Sequence, residues 1–439
     1  MYLKCRGELK TPASNVANPY ICERIMKIKH IFGREILDSR GNPTVSCSIV
    51  LDNDAILTAA VPSGASVGKH EAVELRDGDM LRYGGKGVLK ALHNITTVIA
   101  PAFIGKEPDV ITMDKELIAL DGTTNKSHLG ANALLAVSCA VIRAQAYVQR
   151  VELYELINAL WKFEKPTLPR CMFNIINGGL HAESGLCVQE FMVVPRGNDY
   201  VTRLEIATTL YHHLKSVLMQ RGYATGIGDE GGFAPRFTQS GIAREQAALD
   251  LLVEVSSTVD SRVDIALDVA ASSFYDEKHN LYKLHDEDYR AEELITWYDE
   301  LVTKYPLTSL EDGCAEDDWN AWQLLTQKLG SKIQLVGDDI FVTNTHRIQE
   351  GKQRAVATAV LIKPNQIGTV SETIDAIKLC KKLGYHTVIS HRSGETNDDF
   401  IADLAVGTAA GQLKSGAPVR GERVAKYNRL WEIARKIEG

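Results

Sequence analysis

The chain has no Cys-x-x-Cys pair. Its eight cysteines, Cys5, Cys22, Cys47, Cys139, Cys171, Cys187, Cys314 and Cys380, are scattered. That spacing argues against a structural zinc module and a disulfide framework, and fits a reducing, cytoplasmic compartment. Positive charge is not in excess: 49 Lys and Arg stand against 56 Asp and Glu, a net charge of −7. No basic field therefore favours nucleic acid or an anionic membrane surface. No apolar run approaches the ~20 residues of a membrane span. The first 25 residues carry Lys and Arg but no apolar h-region, so they do not read as a secretory signal. Periodic structure starts near Met26, and residues 1–25 are expected to be a disordered extension or an upstream start. No tract is compositionally biased. With 439 residues, 45% hydrophobic and 24% charged, the chain predicts an ordinary enzyme-sized protein of two domains.

Residues 26–162 read as a small α+β domain. Two β-rich runs within residues 44–61 flank Asp52-Asn53-Asp54 as a hairpin. A glycine-rich stretch, Ser63 to Gly68, precedes a charged helix expected over His70 to Arg76. A helical, Ala-rich pattern runs from Gly130 to about Leu160 and stops before Pro166 and Pro169. Residues 163–439 have another rhythm, in which apolar runs ending in a polar residue alternate with helical stretches. Those ends fall at Asp268, Glu311, Asp338, Lys363, His391 and Lys414. Steps of about 25 residues suit one strand, one helix and two short loops. The longer step after Asp268 holds a charged insertion near Asp276–Asp288. A (β/α) barrel places catalytic groups at strand C-termini. A doubly wound open sheet is the alternative, with no equivalent reason for polar strand ends in series.

The stretch from Thr358 to Thr369, TAVLIKPNQIGT, carries a β-branched apolar run into a single lysine, Lys363. Such a lysine either snorkels to the surface or is held in a site, where burial lowers its pKa. Asp268, Glu311 and Asp338 on successive strand ends can converge at one barrel mouth, and hard oxygen ligands without His or Cys select Mg²⁺. Singly, each reads better as a surface or N-capping acid, and it is the three together at barrel spacing that favour a site. Lys414 and a nearby Mg²⁺ would both lower the pKa of Lys363 and free its amine to act as a base.

Three further patterns compete. Gly226, Gly228 and Gly231 match Gly-x-Gly-x-x-Gly, but the intervening Asp229-Glu230 would repel a pyrophosphate. They fit a tight loop presenting an acidic pair, or a plain turn. Gly64 to Gly68 match Gly-x-Ser-x-Gly around Ser66. Pro62 and Ser63 intervene between strand and glycine, so a mobile lid suits this stretch better than a nucleophile elbow. After a strand, Arg392 and Ser393 offer a phosphate clamp, or a solvated loop. His181 reads as a loop or packing histidine.

SGASVG, FNIINGGLHA with QEFM, GDEGG, SLED with AEDDW, GDD, LIKPNQIGT, SHRSGET and QLKSGAP stand in the order and spacing of the enolase family. The chain resembles that family, in its bacterial type, from about Ile28 to the C-terminus. The resemblance implies a smaller N-terminal α+β domain on a C-terminal enolase-type (β/α)8 barrel that begins with two antiparallel strands. It implies reversible dehydration of 2-phospho-D-glycerate to phosphoenolpyruvate with two Mg²⁺. A homodimer or ring of dimers is implied too, as is a cytoplasmic protein with a possible secreted or surface fraction.

By the same resemblance Lys363 is the base at C2, and Glu230 the acid for the departing hydroxide, assisted by Glu190. Asp268, Glu311 and Asp338 hold the tighter metal, and Ser66 reaches the second. Arg392 and Ser393 meet the phosphate and Lys414 the carboxylate, while His181, Gln189 and His391 line the substrate. Val67 stands where the family usually has Thr, Gly421 replaces a common Ser, and residues 1–25 have no family counterpart. A catalytically silent scaffold or surface-binding protein is the rival reading, although every matched catalytic position is filled.

Overall fold

The computed structural model describes residues 26–64, 68–260 and 262–438, so the expectations for residues 1–25, Ser66 and Val67 lie outside the described residues. The N-terminal part opens with an antiparallel sheet of β1 (Ile28–Leu37), β2 (Pro43–Leu51) and β3 (Ile56–Ala60). β2 and β3 are the expected hairpin, in register from Ser46 opposite Ala60 to Val50 opposite Ile56. Helix Ala131–Gln149 packs on β2 and β3. This helix corrects one expectation, because it is long and apolar enough to cross a bilayer. Here its apolar faces, Leu134, Val137 and Val141 among them, are buried in the protein core.

Two helical expectations change. His70–Arg76 forms no helix, because its backbone N–H groups are taken by distant acceptors. Ala72 donates to the Gln366 carbonyl at 2.9 Å, Val73 to the Asn125 carbonyl at 2.7 Å and Leu75 to Asn132 Oδ1 at 3.2 Å. The stretch from Gly130 to Leu160 is two helices. Arg150 turns left-handed (φ 56°) and ends the first. Glu152 then starts the second, Leu153–Trp161, with its own N–H donating to Glu155 Oε2 at 3.1 Å.

The barrel consists of β4 (Arg170–Asn177), β5 (Glu190–Pro195), β6 (Val263–Asp268) and, after an excursion, five further strands. That excursion is the predicted charged insertion, a small sheet of β7 (Tyr275–Asp276), β8 (Leu281–Leu284) and β9 (Glu287–Tyr289). The later barrel strands are β10 (Leu307–Glu311), β11 (Gln334–Gly337), β12 (Ala359–Ile362), β13 (His386–Ser390) and β14 (Gly411–Lys414). β5 runs antiparallel to both β4 and β6, whereas β14 closes on β4 in parallel. An N-terminal α+β domain followed by this closed barrel is the arrangement the sequence implied.

Strand alternation aims the polar ends. Met192 and Val194 on β5, Ala266 on β6, Val336 on β11, Ala359 and Leu361 on β12 and Val388 on β13 form one buried cluster inside the barrel. Side chains two apart share a face. The next inward positions are therefore Glu190, Asp268, Asp338, Lys363 and Ser390, all at one mouth. On β14 Gln412 faces Gln334 of β11 at 2.7 Å, which makes Lys414 the next inward position there.

The two parts meet at a buried acid. Asp114, on helix Val110–Asp121, accepts the Ser371 N–H at 2.8 Å, while its Oδ1 has no hydrogen-bond partner. Burial pushes its carboxyl up from 3.8 to about 6. The folded state thus holds this proton more tightly than the unfolded chain, so stability falls as pH rises from about 4 to about 6. Asp114→Asn keeps the acceptor and removes the charge. It should raise unfolding free energy above pH 6 by up to about 3 kcal/mol, with the gain vanishing below about pH 4. Denaturant titrations across pH 4–7 test this, and an equal gain at every pH would contradict it.

Candidate active site

A cleft opens at the barrel mouth, lined by His181, Gln189, Glu190, Glu230, Asp268, Asp338, Lys363, His391, Arg392, Ser393 and Lys414. Twelve of the thirteen residues proposed from sequence are described, and eleven of them line this one cleft; Glu311 joins them through Lys414.

Lys363 directly follows β12 and caps the short 3-10 turn that Pro364 opens, so the strand stops just before the lysine. Its ammonium is hydrogen-bonded to Asp338 Oδ2, and its side chain is 13% exposed. It does not snorkel. Its pKa is pulled both ways. Burial lowers it most, and Arg392 and the expected neighbour Lys414 add to that, but the carboxylates around it, Asp338 foremost and then Glu311, bring the net shift upward. Asp338 in turn is pushed up by burial and held below its usual range by Lys363.

Lys414 is the hub of the floor. Its Nζ lies 2.7 Å from Glu311 Oε1, 3.2 Å from Asp268 Oδ2 and 3.4 Å from Glu190 Oε1. Asp268 and Glu311 are paired in register across β6 and β10, which brings the two carboxylates side by side. Burial and then Asp268 push Glu311 well above the carboxylate range, whereas these anions hold Lys414 protonated despite its own burial. The donor set of Asp268, Glu311 and Asp338 is all carboxylate, all buried and concentrated around two lysines. A hard divalent cation fits such a set.

Glu190, Glu230 and His181 form a second group that could also hold a divalent cation. Glu230 sits on the tight loop at Gly226–Gly231, where Gly228 donates to the Gly232 carbonyl at 2.8 Å and Gly231 adopts φ 88°. The Gly-x-Gly-x-x-Gly stretch is therefore a tight loop, and of its two acids Glu230 lines the cleft. Asn174 Nδ2 donates to Glu230 Oε2 at 2.9 Å, and His391 Nε2 and His181 Nδ1 lie 3.4 and 3.6 Å from Glu230 Oε1. The two carboxylates are driven apart. Burial and the neighbouring Glu230 charge raise Glu190 well above its usual range. Burial also opposes ionisation of Glu230, but His391 and His181 hold it well below. A proton shared by the pair rests on Glu190. Burial pushes His391 down to about 4.

Arg392 reaches the cleft from the loop after β13 and is bonded to Glu71 Oε2 at 2.8 Å and Asn365 Oδ1 at 3.0 Å. It is not a solvated loop arginine. Ser63 and Gly394 exchange backbone hydrogen bonds at 2.7 and 2.9 Å, which ties the start of the glycine-rich stretch to this loop. A side chain at Gly394 would meet the Ser63 carbonyl at 2.7 Å, so only glycine permits that approach.

Sequence reasoning missed Glu71, Asn174, Asp312, Asp339 and Arg423. Asp312 accepts the backbone N–H groups of Asp338 and Asp339 at 2.8 and 3.0 Å, and its left-handed φ of 43° aims it at them. Burial and then Asp338 push the Asp339 carboxyl up to about 8. Arg423, fully buried, donates to His391 Nδ1 at 2.7 Å and to the carbonyls of Arg392 and Ser393 at 2.6 and 2.7 Å. An arginine has no lone pair to offer, so this bond leaves the His391 proton on Nε2, toward Glu230. Doubled acids at strand ends, Glu311-Asp312 and Asp338-Asp339, were a readable signal; Arg423, in a polar helix, gave none.

The chain matches two family models, the enolase N-terminal domain over residues 28–157 and the enolase C-terminal TIM barrel domain over residues 165–438. Together they cover nearly all of it, and the barrel-mouth cleft lies within the second. With this fold, this donor-rich cleft and these matches, the chain belongs to the enolase family and is, at the level of that family, a dehydrating lyase.

Proposed function

We propose that the protein interconverts 2-phospho-D-glycerate and phosphoenolpyruvate, with Lys363 as base and the Glu190–Glu230 pair as acid. The observation that carries this reading is that Lys363 and the carboxylate pair line the same cleft. A base and an acid serving one substrate allow loss of a proton from C2 and of hydroxide from C3 in a single site. Lys363 takes the C2 proton. The pair delivers its shared proton to the C3 hydroxyl, which departs as water. Arg392 and Ser393 hold the phosphate, Lys414 the carboxylate, and His181, Gln189 and His391 the remaining faces.

Asp268, Glu311 and Asp338 would hold one Mg²⁺, with Ser66 serving a second. When bound, Mg²⁺ supplies concentrated positive charge beside the substrate carboxylate, where negative charge builds as the proton leaves. Lys363 must be a neutral amine to act as base, and a cation held by Asp338 would compete for the carboxylate that keeps the Lys363 ammonium charged, so a ligand role for Asp338 would favour a base role for Lys363. A homodimer or ring of dimers, and a cytoplasmic site of action, accompany this reading through family membership.

The test is phosphoenolpyruvate formation from 2-phosphoglycerate, with and without Mg²⁺. Turnover that depends on Mg²⁺ is expected. Absence of turnover at saturating Mg²⁺ would overturn the reading and favour a silent scaffold.

A further inference from the structure

Away from the barrel mouth, a thiol, an imidazole and a carboxylate stand in line. Cys187 lies between the 3-10 turn Gly179–His181 and β5; Glu245 lies in the first turn of helix Ala243–Val259; His285 lies at the turn between β8 and β9. His285 Nε2 sits 2.9 Å from Glu245 Oε2, and the two side chains are only 6% and 1% exposed. His285 Nδ1 lies 3.7 Å from Cys187 Sγ, within reach for a sulfur contact. The backbone N–H of His285 points at the same sulfur at 3.4 Å. Arg244 Nη1 is 3.4 Å from His285 Nδ1. An arginine only donates, so Nδ1 carries the lone pair and the ring proton sits on Nε2, toward Glu245. That tautomer can receive the thiol proton. The other five described cysteines are buried, whereas Cys187 is partly exposed.

We propose that Cys187 is a reactive thiol, with His285 as its base and Glu245 as the group that orients and charges-balances that base, and that it exchanges with small disulfides. A nucleophile beside a base that is itself oriented by a third group is the arrangement activated thiols share. In the step, the Cys187 proton passes to His285 Nδ1 and the sulfur attacks one sulfur of the disulfide. A new S–S bond forms, the old one breaks, and the departing thiolate takes the proton back from His285. No other oxidant is consumed. Burial and Glu245 push the resting thiol up, while the His285 N–H and Arg244 pull it down, so Cys187 rests protonated and relies on the base. Arg244 and the His285 N–H then face the thiolate as it forms.

The adduct has a consequence that rests on the function proposed above. The loop from Gly178 to Gln189 is closed on itself by Gly179 donating to the Leu186 carbonyl and Gly178 to the Gln189 carbonyl, each at 2.9 Å. It carries His181 and Gln189 into the cleft. A bulky group on Cys187 would displace that loop and slow turnover.

The experiment is incubation of the full-length native protein with glutathione disulfide, followed by peptide mapping and turnover assay. Cys187 is expected to gain a glutathionyl group ahead of the other described cysteines. His285→Asn should slow that gain by about tenfold or more. The Cys187 N–H donates to Glu245 Oε1 at 2.8 Å, and Glu245→Gln, which keeps an acceptor for it, is the second variant should His285→Asn not fold; it should also slow the gain. Turnover should fall in step with the adduct, return with a thiol reductant, and stay unchanged in Cys187→Ser. Modification that reaches the buried cysteines first, or at a rate indifferent to His285 and Glu245, overturns the reactive-thiol assignment. Full modification without loss of turnover overturns the link to the cleft. Failure of the dehydration reading appears separately, as absence of turnover before any disulfide is added.

Discussion

Lys363→Ala is expected to abolish proton exchange at C2 of 2-phosphoglycerate while Mg²⁺ binding stays largely intact. Solvent-deuterium exchange followed by NMR reads the first, and calorimetric titration with Mg²⁺ the second. A positioned base contributes about 10²–10⁴-fold, so the loss should be at least that large. The prediction is specific because Lys363 has two separable relations. It faces the cleft as the inward residue after Ala359 and Leu361, and it neutralises Asp338. Removing the amine takes away the base but also leaves the Asp338 carboxylate without its lysine partner, so metal affinity should not fall with the chemistry. Exchange that persists in the variant means that another group is the base.

Lys414→Met should give the largest loss of stability. Its ammonium is buried among Glu190, Asp268 and Glu311, and a methionine of similar length fills the space without the charge. Breaking a buried pair on one side costs about 3–5 kcal/mol, because the partner charge is stranded. Denaturant unfolding in chelator at neutral pH should show a loss of this order. The sign of its pH dependence follows from the carboxylates. Glu190 and Glu311 already bind protons more tightly when folded than when unfolded, since burial raises both. Removing the lysine raises them further, so the variant's deficit should shrink as pH falls and these groups protonate. Added Mg²⁺ should recover part of the loss by replacing the missing positive charge. A variant within about 0.5 kcal/mol of the parent would mean that the carboxylates are already neutral.

Much of this site was legible without coordinates. Polar residues at the ends of apolar runs about one βα unit apart are a one-dimensional trace of a barrel mouth, and the period-2 alternation of strands carries that trace into three dimensions. Lys363, Asp268, Asp338 and Lys414 were read this way, and alternation with buried Leu361, Ala266, Val336 and the Gln412–Gln334 contact accounts for their convergence. The competing reading of Lys363 as a snorkelling lysine failed because Asp338, 25 positions upstream, meets it inside the cleft.

Other features had no local signature. His70–Arg76 carries a helical pattern, yet its N–H groups bond to Gln366, Asn125 and Asn132, partners that only the fold supplies. Glu71 becomes a partner of Arg392 for the same reason, across 321 positions of sequence. Charge states were least legible. Positive neighbours do lower Lys363, as the sequence suggested, but the net direction depends on the carboxylates the fold brings beside it, Asp338 foremost, and they turn it upward. Likewise Glu190 and Glu230 look alike in sequence; it is the placement of His391 and His181 beside Glu230 that leaves the proton on Glu190.

By itself, then, the sequence determined the barrel rhythm and the strand-end groups Asp268, Asp338, Lys363 and Lys414, because strand periodicity is a local property that a linear reading captures, while Glu190, Gln189 and His181 came only through the family resemblance. Tertiary structure alone decided how those groups are charged, which partners hold them, and that Cys187 meets His285 and Glu245. Those outcomes depend on distances of a few ångströms between segments far apart in the chain, and electrostatic energies at such range in a buried, low-dielectric site change sign with the nearest neighbour.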